Sequence, residues 1–269
     1  MEYKLDGYLP EDIKPEHWTH DRVATALAKA APSSFDLGEV DLRPFSVGRH
    51  DQKHLGSCVA QSVVKALEIK RVQQGKKHID LSVLHLYYLA RERMSTRPVH
   101  RDTGTQISLA CESLRKQGVC TDKLWPYDTS KFDHSPSLMA MRESFVNKID
   151  SYYRITSKGK DRINDILLHL HSGNPVAYGT ALNKYFFNVD KHSVVGECTG
   201  RVKGRHAMCI VGWLPDHEGG CFVIENSWGG GNSWGDDGFF YASPDHLMDD
   251  QARDIWAIAE GFEPWVERK

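Results

Sequence analysis

The segment Gln52-Lys53-His54-Leu55-Gly56-Ser57-Cys58 constrains this chain most, because what its cysteine would need as a nucleophile lies far downstream. The histidine is in Gly204-Arg205-His206-Ala207 and the asparagine in Glu225-Asn226-Ser227-Trp228-Gly229. A chain that uses all three must bring distant segments together. With 269 residues and 40% hydrophobic content it can bury a core as one domain or two closely packed lobes.

Val59, Val63, Leu67 and Lys70 step by three or four after Cys58 until Gly75 stops the pattern, so the cysteine opens a helix. Helices are also predicted over 82–93 and 105–117, the second with Ile107, Leu109, Ala110 and Leu114 as its buried stripe and Gly118 as its stop. Beyond Tyr152 the texture changes to short apolar runs at 175–180, 207–213, 221–225, 238–242 and 255–259, with one helix near 162–171. The first half reads as mainly α and the second as mainly β.

A thiol with a pKa near 8.5 is mostly protonated at neutral pH, so an enzyme that uses one must stabilise its thiolate. A helix start helps, because its unpaired N–H groups carry partial positive charge. His206 is the best partner among the 14 histidines: it enters a strand, whereas the others are expected mostly in polar loops. Asn226, at the end of the 221–225 strand, can hold the imidazole with its side-chain oxygen, and Trp228 can cover that bond from water.

Net charge narrows the partners little. With 34 basic and 36 acidic residues the chain has no global pull toward nucleic acid or an anionic membrane, so neither is expected as a partner. The N-terminus has no apolar h-region and no apolar run is long enough for a membrane span, which suggests a cytoplasmic protein or one exported without a classical signal peptide. Six cysteines without a C-x-x-C pair suggest neither zinc nor a disulfide framework, and Cys111 and Cys209 read as small buried hydrophobes. No cofactor or metal is expected. The glycine run 229–233 lacks the Gly-Lys-Ser/Thr of a phosphate cradle, and Arg91, Arg93, Arg97, His100 and Arg101 read as a solvated turn.

Together these residues resemble the papain-like (C1 family) cysteine peptidases, in a bacterial-type form with a short N-terminal extension. The order Cys, His, Asn and a Cys-to-His distance of about 150 residues match. So do Phe35-Asp36-Leu37, Val40-Asp41-Leu42-Arg43, Leu81-Ser82, Trp125-Pro126-Tyr127 and Trp234-Gly235-Asp236-Asp237-Gly238-Phe239. The resemblance implies an α+β fold of two lobes, mainly helical over about 45–150 and β-barrel-like over about 151–269, with the active-site cleft between them. It implies a cysteine endopeptidase working through a thioester, with Cys58, His206 and Asn226 catalytic and Gln52 supplying an oxyanion donor. Gly104, Val176, Ala177 and Trp228 would contact a peptide or protein substrate, and the protein would be a monomer.

The departures matter too. Val59 and Gln61 replace the usual aromatic residues after the nucleophile, and Leu55 stands where secreted relatives carry a disulfide cysteine. Asp249 or Asp250 could favour a basic substrate side chain. Residues 1–32, ahead of a peptidase domain at 33–269, form a proline-punctuated arm whose Leu9, Ile13, Trp18, Leu27 and Ala30 could cover the cleft and restrain the enzyme, or pack behind a lobe. Two other functions fit the same residues: a catalytically idle binding protein of this fold, and a transpeptidase or deconjugating enzyme with the same thioester.

Overall fold

The computed structural model describes residues 3–30, 38–231 and 234–259. The stretch Phe35-Asp36-Leu37 and the Asn232-Ser233 end of the glycine run lie outside them. Helix α1 (Ala24–Ala30) belongs to the arm, and the helical lobe holds α2 (Cys58–Gln73), α3 (Val83–Glu92), α4 (Ile107–Lys116) and α5 (Leu138–Ser144). The second lobe holds α6 (Gly159–His171), α7 (Pro244–Met248) and strands β2 (Ser151–Ile155), β3 (Val176–Leu182), β4 (Val194–Val195), β5 (Gly204–Leu214), β6 (Cys221–Glu225), β7 (Phe239–Ala242) and β8 (Arg253–Ala259). A short β1 (Val40–Asp41) precedes α2 yet pairs with β5, Val40 opposite Trp213, and so ties the two lobes together.

Local chemistry explains most boundaries. Ser82 caps α3 by accepting the His85 N–H at 3.1 Å, and Ser137 caps α5 through the Ala140 N–H at 3.2 Å. Gly118 ends α4 at φ +78°, where an added Cβ would meet the Ser144 carbonyl oxygen at 2.0 Å. In α4 the buried face includes Ser108 and Cys111, while Leu109 is only partly covered. The strands β2 and β4 and the short helices α5 and α7 are not read from the sequence pattern.

Among the described residues the sheet runs β2-β8-β3-β5-β6-β7-β4, with only the β4–β7 pair parallel. Its end strands do not pair with each other in this order, so the barrel-like lobe is an open mixed sheet. Antiparallel register puts Thr180 opposite His206 and Cys209 opposite Glu225, which brings Asn226, just past β6, alongside the start of β5.

Helix α2 lies between the lobes against α3, α4 and β5, and every residue from Cys58 to Lys70 is buried. Its polar side chains are therefore paired inside. Lys65 Nζ meets Glu68 Oε2 at 3.0 Å, His50 Nε2 meets the same oxygen at 3.0 Å, and the Leu81 N–H donates to Glu68 Oε1 at 3.0 Å. Burial alone would raise the Glu68 carboxyl, but His50 and Lys65 outweigh it and hold the pKa at about 2. This contribution is complete above the unfolded value of 4.5 and is lost as pH falls toward 2. Glu68→Ala removes the acceptor of His50 and of the Leu81 N–H and leaves the Lys65 ammonium to the Val47 and Gly48 carbonyls and, at 3.9 Å, Glu225, so denaturant unfolding should show a loss of about 1–3 kcal/mol; a loss within experimental error would show that the network is not needed.

Candidate active site

Cys58 is the first residue of α2, and the backbone N–H groups of Ala207 and Val59 lie against its sulfur. The preceding Ser57 does not cap the helix: its hydroxyl bonds the Tyr127 hydroxyl at 2.5 Å and accepts from Gln61 Nε2 at 3.3 Å. Gln61, which stands where relatives carry an aromatic residue, thus fixes Ser57 by hydrogen bonding. His206 is the third residue of β5, beside Ala207, and is fully buried. Its Nε2 lies 2.7 Å from Asn226 Oδ1, which also accepts the Ser227 N–H at 2.8 Å. An amide oxygen only accepts, so Nε2 carries the proton and the unbonded Nδ1 presents a lone pair. The Trp228 ring lies 5.5 Å from the imidazole and is itself almost wholly buried.

The Gln52 amide is locked in place. Its Oε1 accepts the Ser227 hydroxyl at 2.7 Å, its Nε2 donates to the Leu55 carbonyl at 3.2 Å, and its backbone N–H donates to Ser227 O at 2.9 Å. The remaining Nε2 hydrogen points to the cleft, where it meets the Lys4 carbonyl at 3.0 Å. The Gly56 N–H donates to both Asp102 carboxylate oxygens, at 3.1 and 3.2 Å, and Tyr87 donates its hydroxyl to the same carboxylate.

Residues 3–9 run through this site. Tyr3 stacks on Trp228 at 4.9 Å and donates its hydroxyl to the Trp228 carbonyl at 2.7 Å. Leu5 lies on Gly204, and Asp6 exchanges hydrogen bonds with the Arg205 backbone at 2.8 and 3.0 Å. Gly7 packs so closely that a Cβ there would lie 2.6 Å from the Gly56 carbonyl oxygen and 2.9 Å from Cys58 Sγ. The Gly7 carbonyl accepts the Thr105 N–H at 3.0 Å, beside Gly104, and the Tyr8 ring lies on Gly179 with its hydroxyl donating to Asp254. Further along, Arg154 binds the Glu11 and Asp12 carbonyls, and Val23 and Leu27 pack with Tyr153 and Leu168 on the second lobe.

Covered in this way, Cys58 has no contact with water. Burial pushes its thiol up to about 12, against the helping backbone N–H groups and with Asp102 adding to the rise; burial likewise pushes His206 down to about 4, against its bond to Asn226. The covered pair is therefore thiol and neutral imidazole, not the thiolate that the helix start alone suggests.

Cys58, His206, Asn226, Gln52, Gly104 and Trp228 all border one cleft. Val176 and Ala177 are fully buried in β3, where Gly179 on the same strand meets the arm's Tyr8. Asp249 is turned to the Cys198 N–H at 2.8 Å, and Asp254 closes the Tyr8 pocket instead. Several histidines expected in loops are core residues, His85, His169 and His246 among them. Arg91 is buried too, donating to the Val99, Arg101 and Phe132 carbonyls and lying over Tyr87, so the arginine cluster is partly structural. Of the arm's expected apolar contacts Ile13 is exposed and the Ala30 side chain lies outside the described part of the chain, while Tyr3, Leu5 and Tyr8 make contacts that hydrophobic periodicity does not single out. Among the described residues no group of three or more His, Cys, Asp or Glu could hold a metal, and no helix is long and apolar enough to cross a membrane.

A two-lobed α+β fold with cysteine, histidine and asparagine at the lobe junction defines a class of thiol peptidases. Residues 31–251 match the model of the papain family of cysteine proteases, and the chain belongs to that family: it is a cysteine peptidase, a hydrolase acting on peptides or proteins. It is 30% identical over 258 residues to an uncharacterized peptidase C1-like protein of Acanthamoeba polyphaga mimivirus, covering 92% of this chain and 81% of that one. Its fold is similar to that of xylellain, a cysteine protease from Xylella fastidiosa, with a TM-score of 0.79, 24% identity and coverage of 97% and 98%. It is also similar to digestive procathepsin L 3 of Tenebrio molitor larval midgut, with a TM-score of 0.64, 19% identity and coverage of 85% and 72%.

Displacing residues 3–9 would return His206 toward its ordinary 6.5 and Cys58 toward 9.0. The histidine's depressed pKa makes the covered state fully stable above 6.5 and weakens it as pH falls toward 4, by up to about 3 kcal/mol. The cysteine's raised pKa weakens it as pH rises above 9.0. Iodoacetamide labelling of Cys58, normalised to the unfolded chain, should therefore be slowest between these limits and accelerate on acidification. A normalised rate that only fell toward pH 4 would contradict this.

Proposed function

We propose that the protein is an endopeptidase working through a thioester on Cys58, held latent by its own residues 3–9. The observation that carries this reading is that the Cys58 sulfur lies against the Ala207 N–H, next to the His206–Asn226 pair, while the sulfur and the Gln52 amide donor both face the same arm segment. With the cleft open, His206 Nδ1 takes the thiol proton and sulfur bonds the peptide carbonyl carbon, moving the C=O electron pair onto oxygen. The Gln52 Nε2–H and the Cys58 N–H receive that charge; losing one such donor typically costs about 10²–10³ in rate. The C–N bond then breaks as His206 gives its proton to the leaving amine. Water, deprotonated by His206, attacks the thioester, breaking the C–S bond and releasing the acid.

The arm supports internal cleavage, because it shows that a polypeptide can lie across the cleft from Trp228 to Thr105 with residues on both sides of the sulfur. It also supports latency. The carbonyl on Gln52 belongs to Lys4, whereas the backbone against the sulfur is Gly7, so the arm fills the cleft with its carbonyl and the nucleophile out of step. That a similar fold is a procathepsin agrees with an inhibitory segment.

Gly7→Ala puts a methyl group into backbone atoms that cannot give way, a clash of the kind that costs about 1–3 kcal/mol. In the full chain it should raise both peptide turnover and epoxide labelling of Cys58 by roughly 10- to 100-fold, and Cys58→Ala should abolish both. If hydrogen exchange shows residues 3–9 released in Gly7→Ala while nothing is cut and Cys58 is unlabelled, the peptidase reading fails. If wild type and Gly7→Ala are equally active, latency fails.

A further inference from the structure

Lys4 occupies the cleft in a way that no feature of the arm's backbone requires. Its carbonyl oxygen takes the Gln52 Nε2 hydrogen at 3.0 Å, which is the donor that a substrate carbonyl needs on becoming an oxyanion. Its ammonium meets Asp102 Oδ2 at 2.5 Å and the Asp102 backbone oxygen at 2.8 Å. One residue thus has its carbonyl on the oxyanion donor and its cation on a carboxylate. The span between Gln52 and Asp102 is therefore matched to a lysine-length side chain.

We propose that Asp102 makes this enzyme selective for lysine or arginine at the residue whose carbonyl is attacked. The proposal rests on the peptidase reading above and names its substrate class. Asp102 is held rigidly at the cleft wall, since both of its oxygens take the Gly56 N–H, just before the nucleophile, and Tyr87 donates its hydroxyl from α3. These donors are neutral and fix the carboxylate without cancelling its charge. Arg91 senses that charge, but its guanidinium is committed to three backbone carbonyls and the Tyr87 face. The ion-pair partner of Asp102 is Lys4, and departure of the arm leaves the carboxylate without it. A cationic side chain on the substrate restores the pair; a neutral one leaves a partly buried charge uncompensated. The arm's lysine then acts as an occupant of the same subsite, presented by a segment whose Gly7, not its scissile carbonyl, faces the sulfur.

The test uses the full chain carrying Gly7→Ala and a peptide set identical except for Lys, Arg, Gln, norleucine or Glu before the scissile bond. The kcat/KM for Lys and Arg should exceed that for Gln and norleucine by about 10-fold or more, the scale of a charge-assisted hydrogen bond. In Asp102→Asn, which keeps an acceptor for the Gly56 N–H, the ratio should fall to about two or less, and Asp102→Lys should turn the preference toward Glu. A second readout needs no turnover: alkylation of Cys58 by peptidyl epoxides ending in Arg or Leu should show the same ratio and the same loss. In the covered protein, Lys4→Glu should speed labelling of Cys58, and adding Asp102→Lys should slow it again. Activity without a basic preference, or a basic preference that survives Asp102→Asn, overturns this proposal and leaves the peptidase reading intact. A released arm with neither cleavage nor labelling of Cys58 by any probe overturns both.

Discussion

Exclusion of water from the Cys58 sulfur governs the electrostatics of the whole cleft. A helix start favours an anion by about 0.3–1 kcal/mol at an exposed site, and a neighbouring imidazole adds to this when it can ionise. Complete burial opposes both groups at once, pushing the thiol up to about 12 and the imidazole down to about 4. Burial wins while Gly7 lies on the sulfur. In the proposed mechanism the same side chains support a second protonation state once the Gly7 segment leaves.

That control needs a rigid frame, and short backbone bonds across the cleft base supply it. Gln52 N–H to Ser227 O and Gly229 N–H to His50 O, both at 2.9 Å, stitch the loop before α2 to the loop after β6, and the Asp51–Trp228 bridge lies between them. Tyr127 donates to the Gln52 carbonyl at 3.0 Å from the helical lobe while bonding Ser57. The Gln52 amide, the helix that Cys58 opens and Asn226 beside the imidazole are thus fixed to one another by their immediate neighbours. Paired charges at Lys65, Glu68 and His50 anchor the buried helix beneath them.

Much of this is legible in the sequence, for identifiable reasons. The helix after Cys58 and the strands at 207–213 and 221–225 announce themselves by period and by glycine punctuation, and the chemistry of a thiol nucleophile limits which partners are useful. The arm's seat is not legible, because it depends on main-chain contact: Gly7 against Gly56, and the Gly7 carbonyl on Thr105, leave no side-chain pattern. Apolar character alone therefore points to Ile13, which is exposed, and passes over Tyr3 and Tyr8, whose rings and hydroxyls both find partners. Asp102 and Asp254 are hidden for a related reason. Each acts on a residue about 50 or more positions away in the chain, at Gly56 and Tyr8, and nothing local marks a carboxylate that will be met from such a distance.

Leu55 and Asp102 show how one exchange alters both frame and cleft. Relatives with a cysteine at the Leu55 position can clamp this loop covalently, and such a clamp is neutral. Here the adjacent Gly56 N–H is held by a carboxylate, which can be equally directional at 3.1–3.2 Å but brings a formal charge to the cleft wall. Asp102 also raises the Cys58 pKa, so the carboxylate that holds the Gly56 N–H opposes ionisation of the thiol. A cation beside Asp102 offsets that opposition. Whatever supplies the cation is therefore coupled to the thiol electrostatically as well as sterically, and in the covered protein the arm's own Lys4 supplies it.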